Sequence, residues 1–296
     1  MQTLDSWPIA DRRAITGVLT DIDDTLTTNG AITADALAAL YALKAAGLPV
    51  IAVTGRPVGW SEPFARDWPV AAIVAENGAV ALFRSPVRPE PLDTEAQTAP
   101  QHNSGGREQL LKLYQQGEAE RHENFARMQQ VSARVLRDVP GAQLARDSAG
   151  RETDIAIDHS EFTSLTGEQI AHTLELMRSE GLNATVSSIH VNGWIGSHNK
   201  LQGATWAVRE LLGRNLDAER KQWVFIGDST NDELLFEAIP NSIGVANVRR
   251  FEAQLTHRPR YVAQAERGAG FAEAVKALLE AQISLGTLGT TPRRLS

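Results

Sequence analysis

Three carboxylates directly follow a short apolar segment near the N-terminus. Asp21, Asp23 and Asp24 lie within the sequence TDIDDTLT, after the predicted strand 15–20. Because side chains alternate along a strand, Asp21 and Asp23 are expected on the same side of this strand end. In an open parallel sheet, ligands bind at the carboxyl ends of the strands. The segment is therefore a candidate site, although an aspartate-rich turn explains it equally well when it is taken alone.

Two further predicted strands end in polar residues that flank glycine. Strand 48–53 is followed by TGR (54–56), and strand 222–226 is followed by GDSTND (227–232). Glycine lets a ligand approach the backbone closely. The chain has no cysteine, and carboxylate oxygens without thiol or histidine partners suit a hard ion such as Mg²⁺. The three strand ends together predict a magnesium site.

These motifs resemble the signatures of the haloacid dehalogenase-like superfamily of phosphohydrolases. The superfamily carries Asp-x-Asp, a strand-end Thr or Ser, a Lys and Gly-Asp-x-x-x-Asp, and all four occur here in that order along the whole chain. The matching residues are Asp21 and Asp23, Thr54, Lys200, and Asp228 and Asp232. The insertion between Thr and Lys, and ENGA at 76–79, resemble the Cof-like, subclass IIB sugar-phosphatase branch with a type 2 cap. Asp24 departs from the commoner Asp-x-Asp-Gly-Thr pattern.

The resemblance implies roles for the acidic residues. Asp21 would be the nucleophile that forms an aspartyl phosphate, and Asp23 would be the general acid and base. Mg²⁺ would be held by Asp21, by the Asp23 backbone carbonyl and by Asp228. Asn231 and Asp232 would orient metal-bound water or the lysine, and Asp232 is a further candidate metal ligand.

The remaining assignments concern phosphate and substrate. The resemblance implies that Thr54 binds a phosphoryl oxygen and that Lys200 neutralises the phosphate and the nucleophile. A lysine at a helix start is usually a solvated surface residue, but its position just after the insertion favours a role for Lys200. Candidates for substrate contact lie at strand ends or on the last strand of the insertion: Gly55, Arg56, Asn77, His190, Asn192 and Asn231.

Both flanks of the chain alternate between strands and helices. Apolar runs at 15–20, 48–53 and 70–75 are separated by helical patterns, and the alternation resumes after the insertion. Continuous apolar strands of this kind are typical of a parallel sheet covered on both faces. The pattern predicts an α/β fold in which residues 1–85 and 197–296 form a Rossmann-like, doubly wound and mostly parallel sheet.

The middle of the chain has a different order. Residues 85–106 are rich in Pro, Gln, Ser and Gly, which predicts an exposed linker. A long helix is predicted from about Arg107 to Asp138, and two strands, a second helix and two further strands follow. This order, αββαββ, predicts that residues 86–196 form an inserted α+β cap domain.

The last predicted strand of the insertion could face a substrate. Alternation over 189–195 places His190, Asn192 and Trp194 on one face, which could contact a sugar. Taken singly, each is equally well explained as a solvated outer-face residue, and His190 could be a hydrogen-bonded interior histidine. Arg56 could bind an anionic group or hold the loop that follows it.

Composition limits the classes of partner. The chain of 296 residues is 42% hydrophobic, which is enough for one large domain or two modest ones. A net charge of −7 argues against a broad basic surface for nucleic acid. No apolar run reaches the roughly 20 residues of a membrane span, and the first residues are not signal-like. We therefore expect a cytoplasmic monomer or homodimer that acts on a small phosphorylated molecule, without a membrane or nucleic-acid partner.

Three functions are compatible with these residues. The leading hypothesis is Mg²⁺-dependent hydrolysis of a sugar or glycosyl phosphate. A phosphomutase of the phosphomannomutase type shares the core, the cap type and the aspartyl-phosphate step, and no residue separates the two. A non-catalytic Mg²⁺-binding regulatory protein on the same fold is the third, and the presence of Asp21, Asp23 and Lys200 argues against it.

Overall fold

The computed structural model of the chain describes residues 1–86 and 108–283, which contain fifteen strands and nine α-helices. The strands are β1 (Gln2–Thr3), β2 (Gly17–Thr20), β3 (Thr27–Thr28), β4 (Ala31–Ile32), β5 (Val50–Val53), β6 (Ala72–Ala75), β7 (Val80–Pro86), β8 (Glu108–Tyr114), β9 (Gln143–Leu144), β10 (Asp154–Asp158), β11 (Asn183–Val186), β12 (His190–Trp194), β13 (Trp223–Gly227), β14 (Asn241–Gly244) and β15 (Tyr261–Val262). The helices are α1 (Ile9–Arg13), α2 (Ala34–Ala45), α3 (Val58–Asp67), α4 (Glu118–Asp138), α5 (Gly167–Ser179), α6 (Lys200–Leu212), α7 (Leu216–Glu219), α8 (Glu233–Ala238) and α9 (Arg267–Ile283).

The larger sheet has the strand order β1-β15-β14-β13-β2-β5-β6-β7-β8. Neighbouring strands from β1 to β6 in this order are parallel, whereas β7 pairs antiparallel with both β6 and β8. Alternate residues of β2 enter two apolar clusters: Val18 joins the cluster that contains Leu40 of α2, and Leu19 joins the cluster that contains Val208 of α6. Helices therefore cover both faces, and the predicted doubly wound α/β fold is confirmed.

A second sheet, in the order β11-β12-β10-β9, lies between β8 and α6 in the chain. Its strands are antiparallel, and Ile157 and Val191 pack with Val135 of α4 and Met177 of α5. We call residues 118–194 the inserted unit and the larger sheet with its helices the main unit. The predicted order αββαββ is confirmed.

The predicted helix from about Arg107 is wrong for residues 108–114. This segment is β8, which pairs with β7 over its whole length, and the helix begins only at Glu118. Its sequence, EQLLKLY, fits strand and helix periods alike, so pairing at the sheet edge decides its structure. The predicted boundary at residue 86 therefore assigns β8 to the cap, whereas β8 lies in the main sheet. Arg107 and residues 87–106 lie outside the described residues.

Several elements of two to five residues carry too little pattern to be predicted, namely β1, α1, β3, β4 and α7, although β1 pairs with β15 at the sheet edge. The seven-residue strand β7 is a longer element that was also not predicted. The other predicted strands and helices occur with ends shifted by a few residues. Within 1–86 and 108–283, no helix combines the length and the apolar character that crossing a bilayer requires.

A close backbone contact joins α6 to the turn after β6. A Cβ atom at Gly203 would lie 2.4 Å from Gly78 Cα, and one at Gly78 would lie 2.4 Å from the Asn199 carbonyl oxygen. Gly78 also has φ +112, a conformation that favours glycine. The start of α6 is therefore fixed against the end of β6.

Gly203→Ala is expected to lower the free energy of unfolding by about 1–3 kcal/mol, because the added methyl group overpacks this contact. Denaturant titration measures the change. Gly167→Ala is the matched control, since a Cβ atom there meets nothing within 4 Å. We expect this control to keep or slightly raise stability, because alanine favours helices. Equal stability of the two variants would contradict the contact.

Candidate active site

Three neighbouring parallel strands end beside one another and carry the predicted site. Asp21 follows β2, Thr54 follows β5 and Asp228 follows β13, and these strands are adjacent in the order β13-β2-β5. The backbone NH of Asp21 donates to the Ile226 carbonyl at 2.9 Å, so the first and last motifs are held together by the sheet itself. The carboxyl edge of the sheet therefore gathers residues that are about 200 positions apart in the sequence.

Lys200 completes the group from the first turn of α6. The helix begins there because the Asn199 side chain accepts a hydrogen bond from Gln202 N. Lys200 Nζ donates to Asp21 Oδ1 at 2.6 Å and to Asp232 Oδ1 at 2.8 Å, and only 3% of the lysine is exposed. The alternative of a solvated surface lysine is therefore wrong.

Asp21, Asp228 and Asp232 offer ligand atoms that lie within 4.8 Å of one another. Both Asp232 oxygens already have partners, since Oδ2 accepts from the backbone NH groups of Asp228 and Ser229. Asp228 Oδ2 accepts from Asn247 Nδ2 at 2.9 Å, whereas its buried Oδ1 has no hydrogen-bond partner. This unpartnered oxygen and Asp21 fit a divalent cation with oxygen ligands. Asp232 as a ligand stays a prediction, as does the Asp23 carbonyl.

The three buried aspartates carry more negative charge than Lys200 can neutralise. Burial raises the pKa of Asp21 to about 8, although Lys200 acts in the opposite direction. Burial, together with the charges of Asp21 and Asp232, also raises the pKa of Asp228 well above its usual range. The pKa of Lys200 is raised because its two carboxylate partners outweigh the effect of burial. One lysine is therefore too little positive charge for three buried carboxylates.

Asp23 lies beside this group and is held by Arg56. Arg56 Nε donates to Asp23 Oδ1 at 2.9 Å, and Thr54 Oγ1 lies 3.5 Å from Asp23 Oδ2. Arg56 also forms ion pairs with Asp147 at 3.0 Å and with Glu161 at 2.8 Å, both in the inserted unit. Thr54 and Arg56 therefore position Asp23, and Arg56 joins the two units.

The substrate candidates of the inserted unit also face the main unit. Asn192 Nδ2 donates to the Gly55 carbonyl and to Asp154 Oδ2, both at 3.3 Å, and Asn77 Nδ2 donates to the same Asp154 oxygen at 3.2 Å. His190 Nε2 lies 2.9 Å from Glu161 Oε2. All five residues of β12 are buried. The alternative of a solvated outer face is therefore wrong for His190, Asn192 and Trp194.

A central cavity lies where the two units meet. It is lined by these predicted site residues: Asp21, Asp23, Gly55, Arg56, His190, Asn192, Asp228 and Asn231. Asn77 and Lys200 instead line a neighbouring cavity, which Asn231 also reaches. Asn231 Oδ1 accepts from Ser229 Oγ at 2.9 Å. Of the six substrate candidates, Asn77 alone does not reach the central cavity.

Sequence reasoning missed three residues that shape the site. Glu161 and Asp147 lie in loops of the inserted unit, where no periodic pattern marks them. Asn247 follows β14, and a polar residue just beyond a fourth strand end was a usable signal. Asp24 has φ +55, which explains why glycine is commoner there, and it forms an ion pair with Arg267 at 3.1 Å. Aspartate tolerates this conformation better than most residues.

We expect Mg²⁺ to stabilise the protein, by about 2.7 kcal/mol at a hundred times its dissociation constant. The folded pKa of Asp21, about 8, exceeds its ordinary value of 3.8. In metal-free protein, its stabilising contribution is therefore present at low pH and lost as the pH rises through about 8. The increase in melting temperature on adding Mg²⁺ should thus be larger at pH 8 than at pH 6.

The Asp228→Asn variant tests whether the Asp228 carboxylate binds the Mg²⁺ ion. Removing one of the crowded carboxylates should raise the melting temperature of metal-free protein at pH 8 and abolish the response to Mg²⁺. The amide oxygen of the new side chain can still accept the hydrogen bond from Asn247. A variant that keeps the full Mg²⁺ response would exclude Asp228 as a ligand.

Comparisons with known proteins agree with this geometry. Residues 18–102 match the family model described as haloacid dehalogenase-like hydrolase. No curated protein sequence matches the chain. Among solved structures, protein 0175 of Thermoplasma acidophilum is 15% identical, with a TM-score of 0.63 over 90% of this chain and 98% of that one.

Two further solved structures are similar over the same extent. The sucrose-phosphatase of Synechocystis sp. PCC6803, solved with sucrose and phosphate, is 14% identical, with a TM-score of 0.57 over 90% of this chain and 98% of its own. The subclass IIB sugar phosphatase BT4131 is 12% identical, with a TM-score of 0.56 over the same two shares. The chain therefore has the fold of the haloacid dehalogenase-like hydrolases, as predicted. The family model matches residues 18–102, which contain the Asp-x-Asp motif and Thr54, whereas Lys200 and the Gly-Asp-x-x-x-Asp motif lie outside the matched range.

Proposed function

We propose that this chain is a Mg²⁺-dependent phosphatase that hydrolyses a small phosphorylated metabolite, a sugar or glycosyl phosphate. The observation that carries the proposal is the contact of Lys200 Nζ with Asp21 and Asp232, beside the unpartnered Asp228 oxygen. This arrangement pairs a carboxylate nucleophile with a cation at the point where a phosphate dianion would arrive.

Asp21 lines the central cavity and would be the nucleophile. Its carboxylate would attack phosphorus, so that an Asp21 O–P bond forms while the bond to the leaving oxygen breaks. Lys200 neutralises charge on the nucleophile and on the incoming phosphate. When bound by Asp21 and Asp228, Mg²⁺ would supply the further positive charge that lets two anions approach each other.

Asp23 would be the general acid and then the general base. Its side chain is 18% exposed, lines the central cavity and is oriented by Arg56. It would first protonate the leaving oxygen, and would then take a proton from the water that cleaves the aspartyl phosphate. The second step returns Asp21 as a free carboxylate and releases inorganic phosphate.

The inserted unit would act as the cap over this site. In the present conformation the central cavity holds about 10 Å³, which is roughly the space of one water molecule. A sugar phosphate therefore requires the two units to separate before it can bind. Contacts that would have to open include the Arg56 pair with Glu161, and the hydrogen bond from Thr230 Oγ1 to the Val186 carbonyl at 2.9 Å.

The substrate class is supported by two observations. The cavity presents uncharged polar side chains from the inserted unit, such as Asn192, Ser187 and Ser188, which suit hydroxyl groups. Two of the similar structures are those of a sucrose-phosphatase and of a sugar phosphatase.

Purified protein should release inorganic phosphate from members of a panel of sugar phosphates, and only with Mg²⁺. We expect Asp21→Asn to abolish turnover, because the amide is not a nucleophile. Asp23→Asn should lower kcat by about 10²–10⁴-fold, the usual size of a general acid–base contribution. The measurement is phosphate release under saturating substrate.

The matched control is Asp5→Asn, which makes the same change at an exposed aspartate far from the site. It should keep wild-type activity. Phosphate release that persists with chelator, or in Asp21→Asn protein, would refute the proposed mechanism. Trapping of phosphorylated wild-type protein, and its absence in Asp21→Asn protein, would distinguish an aspartyl phosphate from direct attack by water.

A further inference from the structure

The guanidinium group of Arg56 is surrounded by three carboxylates. It forms ion pairs with Asp23 at 2.9 Å, with Asp147 at 3.0 Å and with Glu161 at 2.8 Å. Only 6% of its side chain is exposed. These carboxylates together raise the pKa of Arg56 above its usual range, although burial alone would lower it. Arg151 also pairs with Asp147 at 3.2 Å, but it has a further partner in Asp154 at 2.7 Å, so the carboxylates of this network outnumber its arginines by four to two.

Glu161 is the member of this group that comes from the inserted unit and reaches an outer cavity. This cavity, of about 370 Å³, continues outward from Asp23 and Arg56 and is lined also by Ser160, Ile189 and Glu161. Burial alone would raise the pKa of Glu161, but hydrogen bonds with His190 and Arg56 lower it to about 2. Glu161 is therefore ionised at neutral pH and faces the space beside the general acid.

The two arginines that line the outer cavity already have carboxylate partners. Among the described residues that line it, Arg56 and Arg267 carry the positive charges. Arg267 Nε lies 3.1 Å from Asp24. Arg146 does not line the cavity, and its guanidinium lies 3.8 Å over the Phe162 ring. The cavity lining has three carboxylates, those of Asp23, Asp24 and Glu161, against the two arginines, so a second anionic group on a substrate would meet excess negative charge instead of a free cation.

We propose that this enzyme takes phosphate esters whose leaving group is uncharged and hydroxyl-bearing, and that Glu161 is a specificity residue that rejects a second anion. The inference rests on the proposed function and narrows its substrate class. The carboxylate of Glu161 can accept a hydrogen bond from a substrate hydroxyl group, and His190 and Asn192 can donate or accept one. A second phosphate or a carboxylate on the leaving group would instead be repelled by Glu161.

This charge distribution also separates hydrolysis from phosphoryl transfer between sugars. A mutase must pass the phosphoryl group from Asp21 to a hydroxyl of a sugar monophosphate, which forms a sugar bisphosphate in the site. The second phosphate of that bisphosphate needs a cationic partner. Arg56 and Arg267 are the arginines among the described residues that line the two cavities, and each has a carboxylate partner within the main unit, which separation of the inserted unit would leave in place. Transfer to water needs no such partner.

The test compares two substrate pairs that differ by one anion: glucose 6-phosphate with glucose 1,6-bisphosphate, and phenyl phosphate with 4-carboxyphenyl phosphate. For wild-type protein, kcat/KM should be at least about tenfold higher for the member with the uncharged leaving group. Glu161→Gln should reduce that preference by about tenfold. Raising the ionic strength should also reduce it, because salt screens charge repulsion and does not change shape.

Glu175→Gln is the matched control, since Glu175 is exposed on α5 of the same unit. It should keep the wild-type preference in both pairs. Melting temperatures of both variants establish that each is folded. A preference for the bisphosphate, or a preference that neither Glu161→Gln nor salt reduces, would overturn the role of Glu161.

Binding separates this inference from the proposed function. Dissociation constants of glucose 6-phosphate and glucose 1,6-bisphosphate for Asp21→Asn protein with Mg²⁺ can be measured by calorimetry without turnover. Absence of phosphate release from every member of the sugar-phosphate panel would refute the phosphatase proposal. Tighter binding of the monophosphate, lost in Asp21→Asn/Glu161→Gln protein, would still support the charge selection, and tighter binding of the bisphosphate would overturn it.

Discussion

Lys200 brings a single positive charge into a buried group of three carboxylates, and the order of the strands places these carboxylates within reach of the lysine. Asp21, Asp228 and Asp232 come from two adjacent strand ends, and the lysine enters from the first turn of α6. A buried charge is costly unless it is paired. The lysine neutralises only part of this charge, and the raised pKa values of Asp21 and Asp228 show that the remainder favours binding of a proton or of a further cation.

Another buried carboxylate, that of Glu76, fixes how the inserted unit meets the main unit. Glu76, which is fully buried, accepts hydrogen bonds from Val58 N of the main unit and from Glu152 N and Thr153 N of the inserted unit. Glu76 and Asn77 both have positive φ, so the turn after β6 is strained in order to aim this side chain. Burial raises the pKa of Glu76, and these hydrogen bonds oppose that shift.

The sequence was most informative where an apolar strand pattern is followed directly by residues that can act in catalysis. Apolar strands that end in Asp21, Thr54 and Asp228 predicted both the sheet and the edge at which the residues meet. The roles of Asp147 and Glu161 could not be predicted, because their contacts with Arg56 depend on how two units meet across about 100 residues of chain. The pairing of β7 with β8 was missed for a similar reason, since residues 87–107 separate the two strands, which is far more than the roughly two to five residues of a hairpin loop.

The contact between Gly78 and Gly203 has a consequence for the way such an enzyme could open. It locks the helix that carries Lys200 to the same sheet that carries Asp21 and Asp228. The buried group of Lys200 and its three carboxylates therefore lies wholly in the main unit, and its internal contacts do not involve the inserted unit. Arg56, by contrast, also pairs with carboxylates of the inserted unit. Separation of the two units would thus break the outer contacts of Arg56 and leave the lysine and its carboxylates in position, which is the condition for electrostatic preorganisation.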